Sequence, residues 1–584
     1  MNGKCRRVKG CWSRGITRNN AFFTVNPSSS SVLGLFSIKF TASLKNKLNT
    51  EQRNLLQFFE SYPYINKRER FNFDKNTPYA IINLYNNDFK NGTIRIKKPG
   101  IYRLQENIVF NPNETNDFSP TPEQISSGLY PENMSGPYHL GFFAAITVEV
   151  ENVIIDLNGY SIQQSRLHKL QQRFYANIEL ANSPFIPKQG PSSFIGVGGY
   201  RPANKVLIMN GTLSSTSHHG IHANTANNVV LHNLNFNKFE VAGIALNGTT
   251  NAVLNNIRIE NNDNNIPVLS TYSQARFIRK FLHAAKQIKP ELKLSDTKTI
   301  DNIIQNIQSD LDNTFNQFKN SNTIPDNFFK NNNIEYDGNV YGIVLNVNGV
   351  VINDFITEIT NQMIGNSNIF LNNININNIS STPVEIIGLN SNPSSNTAYG
   401  GRVQVGPLGD VLQIEHIQNN DGTYKANSLS DAQIILADPS YTGHKGTNNI
   451  NDKVVEWAKN ERTLSSFIGT DVGEFYYLGG GDSMNHVMKG NIGLFISAGN
   501  NIRGDKIVIS NIKSNGNKVG ISQLRPIQPD PLLKKGLNSH SLLITGSSNI
   551  YLENSNSRIL DAFSENGEAN KIKLIGVNRN IAIL

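Results

Sequence analysis

The sequence predicts an all-β fold: a right-handed parallel β-helix, a solenoid with a helical insertion and a long mixed insertion. Three observations predict it. The stretch from Ser217 to Asn262 says nearly the same thing twice at an offset of 23 residues: Gly220-Ile221 returns as Gly243-Ile244, Asn228 as Asn251, Val230 as Val253 and Leu234 as Ile257. A beat of Asn followed by alternating aliphatics recurs from Asn152, Asn204, Asn228, Asn251, Asn348, Asn368, Asn549 and Asn570. A second beat, Gly followed by alternating apolar residues, precedes several of these at Gly220, Gly243, Gly342 and Gly493. Alternation with period two means short strands with one buried face. Several such strands per short repeat, with no helix in the repeat, mean stacked coils. Asn suits the turns because it tolerates the left-handed conformation and can hydrogen-bond to its copies above and below. A leucine-rich repeat would show a stricter Leu pattern.

Taken in order, residues 1–75 do not follow the repeat. Their first part is expected to be disordered, with a helix within Thr41–Tyr62. Residues 76–265 form the first part of the β-helix, opened by the Pro-Gly turn of "KPGIYRL" at Lys98–Leu104. Residues 266–336 switch to apolar steps of three and four and are expected to be a two-helix insertion on the solenoid flank. The β-helix resumes over 337–390, breaks into a mixed insertion over 391–480, and ends over 481–584.

Composition narrows the function. At 584 residues the chain suits several domains or one elongated array. Charged residues are only 17% of it, too few for a charge-rich disordered chain. Roughly one residue in seven is Asn, far above ordinary usage. A net charge of +9 suits an anionic partner such as an acidic polysaccharide. No stripe of Arg and aromatics marks a nucleic-acid binder. Cys5 and Cys11 make neither a disulfide framework nor a zinc pair. No apolar run is long enough to span a membrane, and the basic N-terminus is a poor signal peptide. A virion or host-cell cytoplasmic location fits it better than export.

Residues 94–200, with "GFFAAITVEVENVIIDLNGYSIQQSRLHKLQQRFYANIEL" at their centre, and "GGDSMNHVMKGNIGLFISAGNNIRG" at 480–504 resemble pectin-lyase-like β-helix proteins of large DNA viruses of protists and of algae. The resemblance covers most of 76–584. It implies the fold and transfers no catalytic residue.

The fold hosts lyases, hydrolases, epimerases and plain structural proteins, so the site must decide. Asp156, Asp263 and Asp505 are scattered, which counts against a calcium-dependent lyase. "RIK" at Arg95–Lys97 stands ahead of the coils, out of place for a hydrolase of this fold. The strongest catalytic candidates are Asp482, His486 and Lys489, just after the glycines Gly479–Gly481. Glycines allow close approach of a ligand, and acid, imidazole and ammonium together can move a proton. The alternative for this motif is a conformational turn with Asp482 capping local amides. Candidate substrate-binding residues are His219 and His222, Gln172 and Arg173, and Arg503; the histidines alternatively form a polar surface turn, and Gln172 and Arg173 a loop packed on the solenoid. No metal site and no cofactor is expected. The leading reading is a protein that binds, and in its fuller form processes, an acidic carbohydrate, with a homo-oligomer compatible. The alternative is a non-catalytic structural or virion-surface protein.

Overall fold

The structure, a computed structural model, describes residues 38–62, 81–131, 137–172, 175–184, 199–261, 340–346, 365–381, 490–514, 538–545, 547–553, 562–564, 569–575 and 579–584, together with 301 and 305. The expected two-helix and mixed insertions, and the motif at 479–489, lie almost wholly outside these residues.

The described strands form a nine-stranded and a fourteen-stranded sheet, and every strand pair in both is parallel. Each turn of the chain contributes one strand to the smaller sheet and then a longer, bent strand to the larger. The protein is a parallel β-helix. His219–Asn224 of one coil lies on Ala242–Asn247 of the next, and Asn227–Phe239 lies on Thr250–Asn261. The 23-residue repeat is thus one coil. The ladder continues unbroken across both insertions. Thr250 pairs with Ser367 and Ser367 with Asn500. The strand Val340–Asn346 follows Ala242–Asn247 in space.

Two residue types let the coils stack. Asn supplies the corners. Asn152, Asn228, Asn251, Asn368, Asn501, Asn549 and Asn580 all have φ between 53° and 62°, a region that costs most L-residues energy and that Asn tolerates. A second left-handed column runs through Asn210, Asn233, Asn256 and Asn373 in the middle of the long strands. It bends each strand into two faces, so a coil has three. The side chains of each column hydrogen-bond along the axis, as in Asn233 Nδ2 to Asn210 Oδ1 at 3.0 Å and Asn256 Nδ2 to Asn233 Oδ1 at 2.9 Å.

Glycine supplies the other device. Gly220, Gly243, Gly342 and Gly493 stand at one level of the smaller sheet, where a Cβ would strike the carbonyl of the next coil. At Gly342 it would lie 2.5 Å from Gly493 O and 2.7 Å from Ile376 Cγ2. The same level is Ser541 and then Lys571 in the last two described coils, by the flanking pairs His540–Asn570 and Leu542–Ile572. Lys571 is exposed, and Ile572 and Leu574 beside it are 38% and 49% exposed.

The interior is a stack of aliphatic ladders. Leu231 lies between Ile208 and Leu254, and Ile221 between Ile178 and Ile244. Leu231 faces this core, whereas its neighbour Val230 faces outward into a second cluster with Leu207, Val253 and Phe370. That outer cluster is closed by two helices, α1 (Ala42–Lys47) and α2 (Thr50–Ser61). The sequence reads as one helix here. The structure breaks it at Asn49, whose side chain accepts from Gln52 N and caps α2. Leu44, Leu55, Leu56 and Phe59 bury their side chains against the sheet. The strands Ile81–Leu84 and Ile94–Ile96 pair with Gly100–Leu104 and Ala144–Val148, so the chain begins stacking two strands ahead of the Pro-Gly turn.

Gly342→Ala is expected to cost about 1–3 kcal/mol through overpacking, read as a lower urea midpoint. Leu231→Asp places an unpaired charge in the ladder and is expected to abolish the cooperative unfolding transition; a folded L231D protein would contradict the inward placement.

Candidate functional site

The chain's longer excursions share one place in the fold. Residues 111–143, 165–175, 262–339, 382–489 and 515–537 each leave at the end of a strand of the larger sheet. Each rejoins at the start of a strand of the nine-stranded sheet, at Ala144, Ala176, Val340, Gly490 and Asn538. The chain therefore leaves the larger sheet and returns to the nine-stranded one at the same corner five times. Residues 180–184 and 199–203 border the outer face of the nine-stranded sheet from the opposite corner.

On that face, in register across adjacent coils, stand Thr147, Glu179, His222 and Ala245 in one row and Ala176, His219 and Ala242 in another. Further along, the face becomes apolar with Tyr341, Val344, Ile492, Phe495 and Leu543. The polar stretch is where imidazoles gather. His218 and His219 have ring centroids 3.9 Å apart, and His219 stacks on His222 at 4.8 Å with planes only 10° apart. His222 Nδ1 lies 2.7 Å from Glu179 Oε2. On its other side Asn247 Nδ2 lies 3.3 Å from His222 Nε2 and donates to Asn224 Oδ1 at 3.0 Å. An amide N–H aimed at Nε2 assigns the ring proton to Nδ1, facing the carboxylate.

Local packing fixes these groups. The helix Arg166–Gln171 braces the corner before His218. Its Lys169 pairs with Glu240 at 2.9 Å, and Gln172 O accepts from Ser217 Oγ. Opposite, Tyr200 donates to Asn224 O at 2.7 Å and Asn224 Nδ2 to Pro184 O at 3.0 Å. Glu179 is fully buried, and burial raises its carboxyl above the ordinary value while the nearby His222 pulls it back. Its Oε1 has no hydrogen-bond partner. Burial, reinforced by the charge of Glu179, also pushes the Tyr200 hydroxyl up.

The arrangement can hold and orient a proton between Glu179 and His222. It is ill-suited to a metal. Stacked rings keep their nitrogen lone pairs in near-parallel planes, so His219 and His222 do not converge on one ion. No cluster of three metal-ligating side chains occurs among the described residues.

The structure brings His219 and His222 together. It places Gln172 beside them through its backbone. The Gln172 side chain is buried, with Nε2 facing Gly141. Arg503 stands on the larger sheet, in register with Phe370 and Tyr551, on another face of the coil. Arg173, Asp482, His486 and Lys489 lie outside the described residues. Two of the three scattered carboxylates are engaged elsewhere, Asp156 with Arg103 at 3.1 Å and Asp505 with Lys47, and Asp263 lies outside the described residues. Arg95 of the "RIK" triplet holds Glu149 in a two-pronged pair at 2.7 and 2.9 Å. Sequence reasoning missed Glu179, Tyr200 and Asn247. The available signal was the alignment of "NIEL" at Asn177–Leu180 with "GIHA" at Gly220–Ala223, which sets Glu179 against His222.

No protein-family model matches the chain, and no curated protein matches it. Two solved structures of PfbA, a surface protein and adhesin of Streptococcus pneumoniae, are similar. One has 9% identity, covers 86% of this chain and 83% of that one, and gives a TM-score of 0.25. The other has 9% identity, covers 84% and 76%, and gives a TM-score of 0.24. No described helix is long and apolar enough to cross a membrane.

The raised carboxyl of Glu179 has a pH consequence. A group that holds its proton more tightly when folded loses stability as pH rises from its unfolded value, 4.5, through its folded value. Glu179→Gln removes that loss. The melting temperature of E179Q relative to the parent is expected to rise between about pH 4 and pH 7; a difference constant with pH would show that Glu179 does not titrate in this range.

Proposed function

We propose that the protein binds an acidic carbohydrate along the outer face of the nine-stranded sheet, with His218, His219 and His222 at the contact and Asn247 and Glu179 holding them. The observation that carries this reading is the imidazole cluster of His218, His219 and His222 on the outer face of that sheet, beside the corner where the chain five times leaves the larger sheet and rejoins the smaller. The described residues 165–172 on one side and 199–203 on the other flank the cluster, and ligand sites favour concave surfaces. The net charge of +9 favours an anionic polymer there. Asp482, His486 and Lys489 belong to this proposal as the groups that move a proton. They immediately precede Gly490, the first residue of a strand in that sheet.

One observation favours the second reading, a non-catalytic structural or virion-surface protein. His219 and His222 are only 9% and 7% exposed, and His222 is bonded on both sides within the protein.

The deciding experiment titrates the full chain with polyuronate oligosaccharides by calorimetry and assays their cleavage. The parent is expected to bind. His219→Ala with His222→Ala is expected to weaken binding at least about tenfold, or 1.4 kcal/mol. Asp482→Asn and His486→Ala are expected to weaken binding or turnover with the melting temperature nearly unchanged. A parent that binds no acidic glycan, with D482N and H486A melting several degrees lower, would establish the structural reading.

A further inference from the structure

The outer face of the larger sheet changes character along its length. One outward row runs Ile101, Ile154, Leu207, Val230, Val253, Phe370, Arg503 and Tyr551 in successive register. Through Phe370 it is apolar and buried with α1 and α2. At Arg503 and Tyr551 it becomes exposed, Tyr551 being 39% so. Neither side chain makes a hydrogen bond or ion pair among the described residues. They sit on adjacent parallel strands, so their backbones lie roughly 4.8 Å apart. A guanidinium and a phenol ring thus stand side by side on a flat, open sheet.

A second row explains why Arg503 is left without a partner. Residues two apart on a strand share a face, so Asp505 is the natural counter-ion of Arg503. Asp505 is instead taken by Lys47, at the C-terminus of α1, which also donates to Asn372 Oδ1 at 3.4 Å. In the next coil Glu553, in register with Asp505, has its own interaction. The N-terminal segment therefore neutralises Asp505, the carboxylate two residues along the same strand from Arg503. Beside the two side chains runs the corner of Asn501, Asn549 and Asn580, where Asn580 Nδ2 donates to Asn549 Oδ1 at 2.9 Å and Asn549 Nδ2 to Asn500 Oδ1 at 2.8 Å.

We infer that Arg503 and Tyr551 form a second contact site for the acidic polysaccharide, on a different face of the solenoid from the imidazole cluster, taking one uronate residue. The pyranose ring lies on the Tyr551 ring, whose large rigid surface suits an apolar sugar face. The uronate carboxylate accepts two parallel N–H bonds from Arg503, a geometry a lysine cannot reproduce. Lys47 is a positioning residue that acts by occupying Asp505. The inference rests on the proposed carbohydrate binding. It adds that one chain engages the polymer at two places, so long polymers gain avidity that short ones lack.

The test uses the full chain, a uronate hexasaccharide, its methyl-ester form and long polyuronate, with calorimetry for affinity and stoichiometry and melting temperature as control. The parent is expected to bind about two hexasaccharides per chain, as two separate sites require. Arg503→Ala and Tyr551→Ala each are expected to remove one of them, and to lower affinity for the long polymer at least about tenfold, with the melting temperature unchanged. Arg503→Lys is expected to behave like R503A, and the methyl ester to be indifferent to R503A. Lys47→Met is expected to weaken this site by returning Asp505 to Arg503, and adding Asp505→Asn to K47M is expected to restore it. If the parent binds the hexasaccharide and R503A and Y551A leave stoichiometry and affinity unchanged, the second site is refuted while the imidazole site stands. If the parent binds no glycan, the proposed function itself fails. Equal weakening by R503A of binding to a DNA oligonucleotide would overturn the assignment to uronates in favour of a general anion patch.

Discussion

Everything in this molecule depends on how closely one coil may approach the next. Parallel strands stack at roughly 4.8 Å, and at the inner level of the smaller sheet that spacing leaves no room for a Cβ against the neighbouring carbonyl. Gly220, Gly243, Gly342 and Gly493 accept the approach because they have none. The corners meet the same demand through conformation, with left-handed Asn turning the chain without lengthening the coil. Once both are in place the aliphatic ladders follow, since every inward side chain meets its counterpart one coil away. The outward side chains are fixed just as firmly, so chemistry on the surface comes in rows.

Those rows divide the labour of the surface. Along the larger sheet the outward row is apolar for six coils and is closed by α1 and α2, whose polar groups reach the backbone and corners beneath. Gln52 Nε2 donates to Asn368 O at 3.2 Å, and Tyr62 donates to Asn152 O at 3.2 Å. Phe40 lies edge-on to His232, which burial pushes down to about 4, so that the neutral ring accepts from Asn255 at 2.7 Å. Along the smaller sheet the row turns from Glu179 and His222 to Ala245, Val344 and Phe495 within three coils. One scaffold thus carries a polar cluster and an apolar strip on the same face, distinguished only by which coil is counted.

The coil-level features were legible because each is written several times. Gly220 and Gly243, Asn228 and Asn251, Val230 and Val253 announce their spacing by repetition, and the strand register is what repetition encodes. Features that occur once were harder to read. Glu179 meets His222 from 43 residues away, across the excursion 180–203, and no second copy of that contact exists to reveal it. The two helices were visible as a single amphipathic stretch, but their docking on Val230, Val253 and Phe370 was not. An outward apolar row looks the same in sequence as an inward one when both are aliphatic. Asp505 was read as a scattered carboxylate for a related reason: its significance lies in Lys47, more than four hundred residues earlier.

The helices at 42–61 give the order of synthesis a consequence. They leave the ribosome before any coil they cover, yet the surface they lie on is assembled from residues 81 through 505. Two of its adjoining rows, Asn255 to Asn372 and Asn377 to Ser510, join parts of the chain 117 and 133 residues apart. The growing chain therefore carries a pair of amphipathic helices with nothing to rest on until most of the solenoid has been made. Over that interval their apolar faces must be shielded by the cell's folding machinery or by the nascent coils already stacked. Residues made before every coil they cover are among the last to find their place.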